Sequence, residues 1–250
     1  MIRRVPVPSP SIVRSLGIPP RLAPYTDRIL AEVDSLGGYT SAVMSLVRSI
    51  KPRPVDIIDL ACGKGHLSLR LADIGTVLAI DAHRPFVVEA RRLASRRGVG
   101  QTCRFLVDRV QSFRPTHPAD LACMIGLLPA AAGSKILRRI VRPGGHYIID
   151  DCVRVNASRR FPEVPTAAKV RAALVRPGDE VVREVVLPRE TVVRQSRRIR
   201  SEVERAVGDL IESVPACAPD VRAFLAALDE SSELLSGPLR PAIWLVRRRD

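Results

Sequence analysis

The hydrophobic positions of this chain fall into three regimes, each predicting a different kind of structure. From Val55 to Asp150, short apolar runs alternate with amphipathic stretches, the pattern of buried strands joined by crossover helices in a parallel sheet. The runs are Val55–Leu60, Thr76–Ile80, Cys103–Val107, Leu121–Ile125 and His146–Ile149. Between them lie helix candidates at Leu67–Ala72, Pro85–Arg97 and Ser134–Val141, the last ended by Pro143-Gly144-Gly145. The connections are as short as such units require.

Before this core, prolines at positions 6, 8, 10, 19 and 20 oppose regular structure and predict an arm. A short helix is expected over Asp27–Leu36, and a second capped by Thr40, with Val43, Val47 and Ile50 on one face, stopped at Lys51-Pro52-Arg53-Pro54. Beyond Asp151 the periodicity is helical: Val192, Ile199, Val203, Val207 and Leu210 form one stripe, and Val221, Phe224, Leu225, Leu228 and Leu235 another, separated by Pro215 and Pro219. Pro241–Val246 then reads as a strand closing the sheet edge. The expected organisation is a single α/β domain with a Rossmann-like sheet: an arm and helical cap over 1–51, a core over 55–151, a helical insertion or lid over 152–238, and a closing strand over 240–248.

The informative segment is Val55-Asp-Ile-Ile-Asp59-Leu-Ala61-Cys62-Gly63-Lys-Gly65, a strand followed by a small-residue turn and then a helix. Glycines there let a ligand approach the backbone, and the next run ends in Asp81, where a doubly wound fold places an acid for ribose hydroxyls. His66, Leu67 and Ser68 stand where a dinucleotide fingerprint would carry its third glycine, which argues against NAD.

The order Asp59-Leu-Ala-Cys-Gly63-Lys-Gly65, then Asp81, then Val107-Asp108, then Pro143-Gly144-Gly145 resembles the class I S-adenosylmethionine (SAM)-dependent methyltransferases over residues 55–150. The resemblance implies that Asp59, Ala61, Cys62, Gly63 and Gly65 hold the amino-acid end of SAM, Asp81 the ribose, and Asp108 with Arg109 the adenine. Ala82 after Asp81 and Gly126 after the fourth strand complete the candidate set, and Tyr25 and Tyr39 are placed to close over the cofactor. Ala61 stands where the superfamily usually has a glycine, and Cys62 is read as a small turn residue without a nucleophilic role.

Acceptor chemistry is expected at the ends of strands four and five. The sequence after strand four, Met124-Ile-Gly-Leu-Leu-Pro-Ala-Ala, lacks the Asn/Asp-Pro-Pro-aromatic signature of amino-methyltransferases and the cysteine of cytosine C5 enzymes. Strand five ends in Asp150-Asp151, of which at most one faces a given pocket, so one is a catalytic candidate and the other a cap. The matching acid after strand four that a metal-dependent catechol-type enzyme would need is missing, and no metal is expected.

Charge changes this picture little. The net charge is +14, carried by 36 arginines and four lysines, which favours acidic partners, but aromatic residues make up 4% and stacking platforms for single strands are scarce. The five cysteines are scattered singly and no stretch approaches the length of a membrane span, so a reducing, cytoplasmic setting is expected. The layout resembles small-molecule methyltransferases related to the ubiquinone-biosynthesis C-methyltransferase type. An RNA methyltransferase with the same SAM site and a non-catalytic SAM-binding partner subunit remain the alternatives.

Overall fold

The computed structural model describes residues 18–33, 39–155, 161–175 and 178–250; most of the expected N-terminal arm and residues 34–36 of the helix expected over Asp27–Leu36 lie outside these residues, and the helix that forms there ends at Glu32, before extended Val33. By contacts the chain divides into two compact units, Tyr39–Leu187 with Pro238–Asp250, and Met1–Gly38 with Pro188–Gly237.

The first unit is built on a seven-stranded sheet. Its strands are β1 (Asp56–Leu60), β2 (Thr76–Asp81), β3 (Cys103–Val107), β4 (Ala119–Met124), β5 (Val141–Arg154), β6 (Glu180–Val186) and β7 (Leu239–Arg247). Their order is β3-β2-β1-β4-β5-β7-β6. β1 to β5 are parallel where they pair, and β7 runs antiparallel to both β5 and β6. The five parallel strands stand where the apolar runs predicted them, because buried strands of a parallel sheet must be apolar on both faces. The core runs through Ile58, Leu60, Ile80, Met124, Tyr147, Ile149 and Trp244.

Numbering α-helices along the whole chain, α1 (Thr26–Glu32) belongs to the second unit, and α2 (Thr40–Arg48), α3 (His66–Leu71), α4 (Arg84–Arg97), α5 (Ala130–Ile140) and α6 (Ala167–Val175) to the sheet unit. α4 starts after extended His83 with Pro85 in its first turn and stops at Gly98, whose φ is +73°. Three expectations are corrected. Thr40 is the first residue of α2, not its cap; Tyr39 holds that position without a side-chain bond. α5 begins at Ala130, after Pro129, and Pro143-Gly144-Gly145 lies inside β5. β5 also extends to Arg154, since β7 pairs with it from His146 onward after β4 has ended.

The fourth correction concerns the stretch read as helical over 152–238. It contains β6, whose Val-Val-Arg-Glu-Val-Val core has neither a helical stripe nor strict alternation, and which forms because β7 offers it an open edge. The helices themselves are α7 (Arg189–Ser213) and α8 (Ala218–Ser236). Their apolar stripes are buried in a core of their own: Val203, Ala206, Val207, Leu210, Val221 and Phe224 pack with Ile18, Leu22, Ile29 and Val33. Arg28 ties α1 to α7 by donating to the Ser213 hydroxyl and the Asp209 carbonyl. The N-terminal segment therefore supplies the surface those stripes need.

Candidate functional site

At the end of β1 the chain enters a turn in which every second residue departs from ordinary backbone. Ala61, Gly63 and Gly65 have φ of 57°, 55° and 80°, and Ala61 is the single non-glycine residue with positive φ among the described residues. Two bonds close the turn: the Cys62 N–H donates to the Ile80 carbonyl at 3.0 Å and the Gly65 N–H to the Cys62 carbonyl at 2.9 Å. The two glycines serve different ends. A Cβ on Gly65 would lie 2.6 Å from Phe105 Cε1, so the position allows β3 to pack against the turn, whereas a Cβ on Gly63 would meet open space.

Asp81, at the end of β2, anchors this turn. Its Oδ2 accepts the Gly63 N–H at 2.8 Å and its Oδ1 the His83 N–H at 2.8 Å. Each carboxylate oxygen retains a second lone pair for a ligand hydroxyl. In register with Asp81 on the same face is Val107, which is 45% exposed, an apolar surface where an aromatic base can lie. Asp59 sits beneath the turn, 2% exposed, its Oδ2 accepting the Ser68 hydroxyl at 2.5 Å. Burial raises its carboxyl pKa to about 7; the Ser68 bond opposes that shift and the charge of Asp81 adds to it. A glycine turn open on one side, joined to a strand-end acid with acceptor capacity left, fits the amino-acid and ribose parts of SAM.

Residues 57–145 match a family model described as a methyltransferase domain. Over these residues the chain carries a methyltransferase domain. Solved structures repeat its fold over most of the chain. YjhP from E. coli has a TM-score of 0.72 at 19% identity, over 89% of this chain and 100% of that one. A SAM-dependent methyltransferase from Geobacter sulfurreducens, in complex with S-adenosyl-L-homocysteine, has a TM-score of 0.71 at 18% identity, over 84% and 90%. Coclaurine N-methyltransferase, bound to N-methylheliamine and S-adenosyl-L-homocysteine, reaches 0.64 at 12% identity, over 84% and 71%. At these identities the likeness is one of fold. No curated protein matches the chain in sequence.

In the sheet unit, the acids ending the fifth strand separate as alternation requires. Asp151 Oδ2 accepts the N–H of Ala130 at 2.8 Å, the first residue of α5, and its Oδ1 the N–H of Cys152 at 2.8 Å. Asp150 instead accepts the Gly126 N–H at 2.8 Å. Burial raises the Asp150 carboxyl to about 6; the Gly126 bond opposes the shift and the Asp151 charge adds to it. Tyr39 lies in the field of Asp150 and Cys152, and burial first, then those two groups, push its phenol up to about 12. Both positions belong to the sheet unit. Register carries Leu60 to Met124 and Met124 to Ile149, so Ala61 and Asp150 stand at one level of the sheet. Two strand spacings put them about 10 Å apart.

The remaining candidates are spread more loosely. Gly126 has φ of 73° with open space at its Cβ position, suiting the tight turn after β4. Ala82 and Arg109 are exposed; Asp108 is half-buried, its N–H donating to the Asp81 carbonyl at 3.1 Å and its Oδ1 accepting the Arg109 N–H at 2.6 Å. The Cys62 thiol is pushed well above its ordinary value, by burial first and then by Asp59 and Asp81, which suppresses the thiolate. Tyr25 packs against the core of the helical unit. No group of three His, Cys, Asp or Glu side chains among the described residues is arranged for a metal. Nor is any helix there long and apolar enough to cross a membrane. Three features escaped the sequence analysis: the Ser68 bond to Asp59, the His83 amide on Asp81, and exposed Val107. Only the first left a trace, since nine residues from Asp59 is where α3 turns its buried face back to the strand.

Proposed function

We propose that the chain transfers the methyl group of SAM to a small-molecule acceptor at the carboxyl edge of its sheet. The observation that carries this reading is the pair of bonds joining Asp81 to Gly63 and His83, which sets a charged acceptor beside the open side of the glycine turn. Gly63 and its neighbours Ala61 and Cys62 would hold the amino-acid end of SAM, Asp81 its ribose, and Val107 with Asp108 and Arg109 its base. The sulfonium supplies an activated methyl group; the protein's share is alignment and exclusion of water. The small-molecule class is supported by coclaurine N-methyltransferase, which shares the fold and is bound to N-methylheliamine.

RNA as acceptor draws on one observation, the segment 84–114, which holds eight arginines against two acids. The segment 188–237 offers no such surface, with seven arginines against nine acids. Calorimetry with SAM, S-adenosylhomocysteine, NAD and a single-stranded RNA tests the reading. SAM and its demethylated product should bind in the micromolar range, and NAD should not. Binding of NAD alone would overturn the reading, and SAM-dependent methylation of the RNA would replace the acceptor class.

A further inference from the structure

The acceptor side of the site contains two adjacent acids, and the structure gives them unlike work. Asp151 has both oxygens engaged, one by the first amide of α5 and one by the Cys152 amide, so it is a tertiary helix cap. Asp150 points to the opposite side of β5, holds the Gly126 amide with Oδ1, and is hydrogen-bonded by no side chain among the described residues. Tyr39, at the start of α2, feels the charge of Asp150, and its hydroxyl has no hydrogen-bond partner among the described residues. A carboxylate oriented by a peptide amide, bonded by no side chain and with a phenol within its field, forms a proton-accepting site one level with the glycine turn.

We propose that Asp150, and not Asp151, is the base that takes a proton from the methyl acceptor, that Tyr39 is the second polar contact, and that the acceptor reacts through an oxygen or nitrogen carrying a hydrogen. The proposal rests on the SAM reading above and names the acceptor class it left open. In the step, the proton of an acceptor O–H, or of the N–H of an ammonium group, passes to Asp150, and the electron pair left on oxygen or nitrogen forms the new bond to the methyl carbon. The carbon–sulfur bond breaks with its pair going to sulfur, which becomes the neutral thioether of S-adenosylhomocysteine. Asp150 later releases the proton to water.

The surroundings suit this task. The titratable groups coupled to Asp150 are Tyr39 at the start of α2, Cys152 along β5 and, from the other face of that strand, Asp151; in the neighbouring strand β7 presents Ile243, and Ile125 with Gly126 follow β4. With its carboxyl raised to about 6, Asp150 is mostly ionised at neutral pH yet more basic than a solvated aspartate. Tyr39, raised to about 12, keeps its proton and donates, so the two groups meet an acceptor that is both acidic and hydrogen-bond accepting.

The test has two readouts. In the free protein, the Asp150 carboxyl, followed by carbon-13 NMR with Asp150→Asn to identify the resonance, should titrate near 6. In turnover, radiolabelled SAM is offered to a panel of a monohydric phenol, catechol, a primary amine, a secondary amine, a tertiary amine and a thioether. The first four include the expected acceptors. With the best of them kcat/KM should rise with pH through about 6, Asp150→Asn should lower kcat at least a hundredfold with SAM affinity unchanged, and Tyr39→Phe should raise KM more than it lowers kcat. Asp151→Asn should lower Tm and keep the pH inflection. An Asp150 titration at or below 4, methylation confined to the tertiary amine or thioether, no methylation of the panel by a SAM-binding protein, or an unchanged profile in Asp150→Asn would each overturn the proposal. Failure of SAM to bind the wild-type protein would instead overturn the reading on which it rests.

Discussion

The carboxylate of Asp81 accepts the backbone N–H of Gly63 at 2.8 Å, across 18 residues of chain. Through this bond the ribose candidate also holds the glycine turn in shape before any ligand arrives. Asp81→Ala should therefore act twice. It should weaken SAM binding at least tenfold by calorimetry, and also destabilise the free protein by about 1–3 kcal/mol in urea, because two backbone amides lose a charged acceptor. Asp81→Asn, which keeps one acceptor oxygen, should recover part of the stability. Unchanged SAM affinity in a folded Asp81→Ala protein would remove Asp81 from the site.

Ala61 and Gly65 bracket the same turn with opposite expectations. Ala61 holds a left-handed φ of 57° that glycine adopts without penalty, so Ala61→Gly should stabilise the protein by about 1 kcal/mol. Gly65→Ala places a Cβ 2.6 Å from the Phe105 ring at a φ of 80°, combining overpacking with backbone strain, and should cost about 2–4 kcal/mol. Urea midpoints of the two variants check both signs.

Asp59 gives the fold a pH dependence of unusual direction for an aspartate. Its folded value, about 7, lies above that of an unfolded aspartate, near 4. Between these values the unfolded chain ionises while the folded one stays protonated, so the contribution is fully present below pH 4 and is lost as pH rises through 7. Wild-type stability in the absence of ligand should accordingly fall over that window by a few kcal/mol. Asp59→Asn should flatten the curve and, at pH 8, exceed wild type. Chemical denaturation at pH 4, 6 and 8 reads this directly; parallel curves for the two proteins would contradict it.

Asp179 is the buried counterpart of that group. Its side chain is 0% exposed and ion-pairs with Arg138 at 3.1 Å, while the Tyr147 hydroxyl donates to it at 2.9 Å. Removing the carboxylate takes the counter-charge from Arg138 and the acceptor from the Tyr147 hydroxyl and the Arg249 amide, so Asp179→Ala should cost about 3–5 kcal/mol. Tyr147→Phe, which removes one neutral donor, should cost about 1 kcal/mol. SAM affinity should be unchanged in both, since neither residue is in the candidate set.

The division into two units predicts that the sheet unit holds the cofactor alone. A chain running from Tyr39 to Leu187 and joined to Pro238–Asp250 keeps the closing strand and every described cofactor candidate except Tyr25. It should bind SAM within tenfold of the full chain. Deleting only Pro188–Gly237 should behave worse, because Ile18, Leu22, Ile29 and Val33 would lose their partners and be left exposed. Comparing the two by calorimetry and by aggregation state separates the cases.

The sequence by itself determined the five parallel strands, the helices between them, and the clustering of Asp59, Gly63, Gly65 and Asp81. These are local matters: a strand buried on both faces must be an apolar run, and a left-handed turn favours glycine. The two C-terminal helices were legible for the same reason, since a stripe repeats within one element. What covers the stripes was not, because a stripe states that burial is needed without naming its partner; Ile18, Leu22 and Ile29 meet Val203 and Leu210 only through tertiary packing. β6 was hidden because its formation depends on the free edge of β7, far along the chain. The tertiary structure also decided between Asp150 and Asp151. Alternation says that the two point apart, but only the placement of Ala130 beside Asp151 shows which acid is spent on a helix.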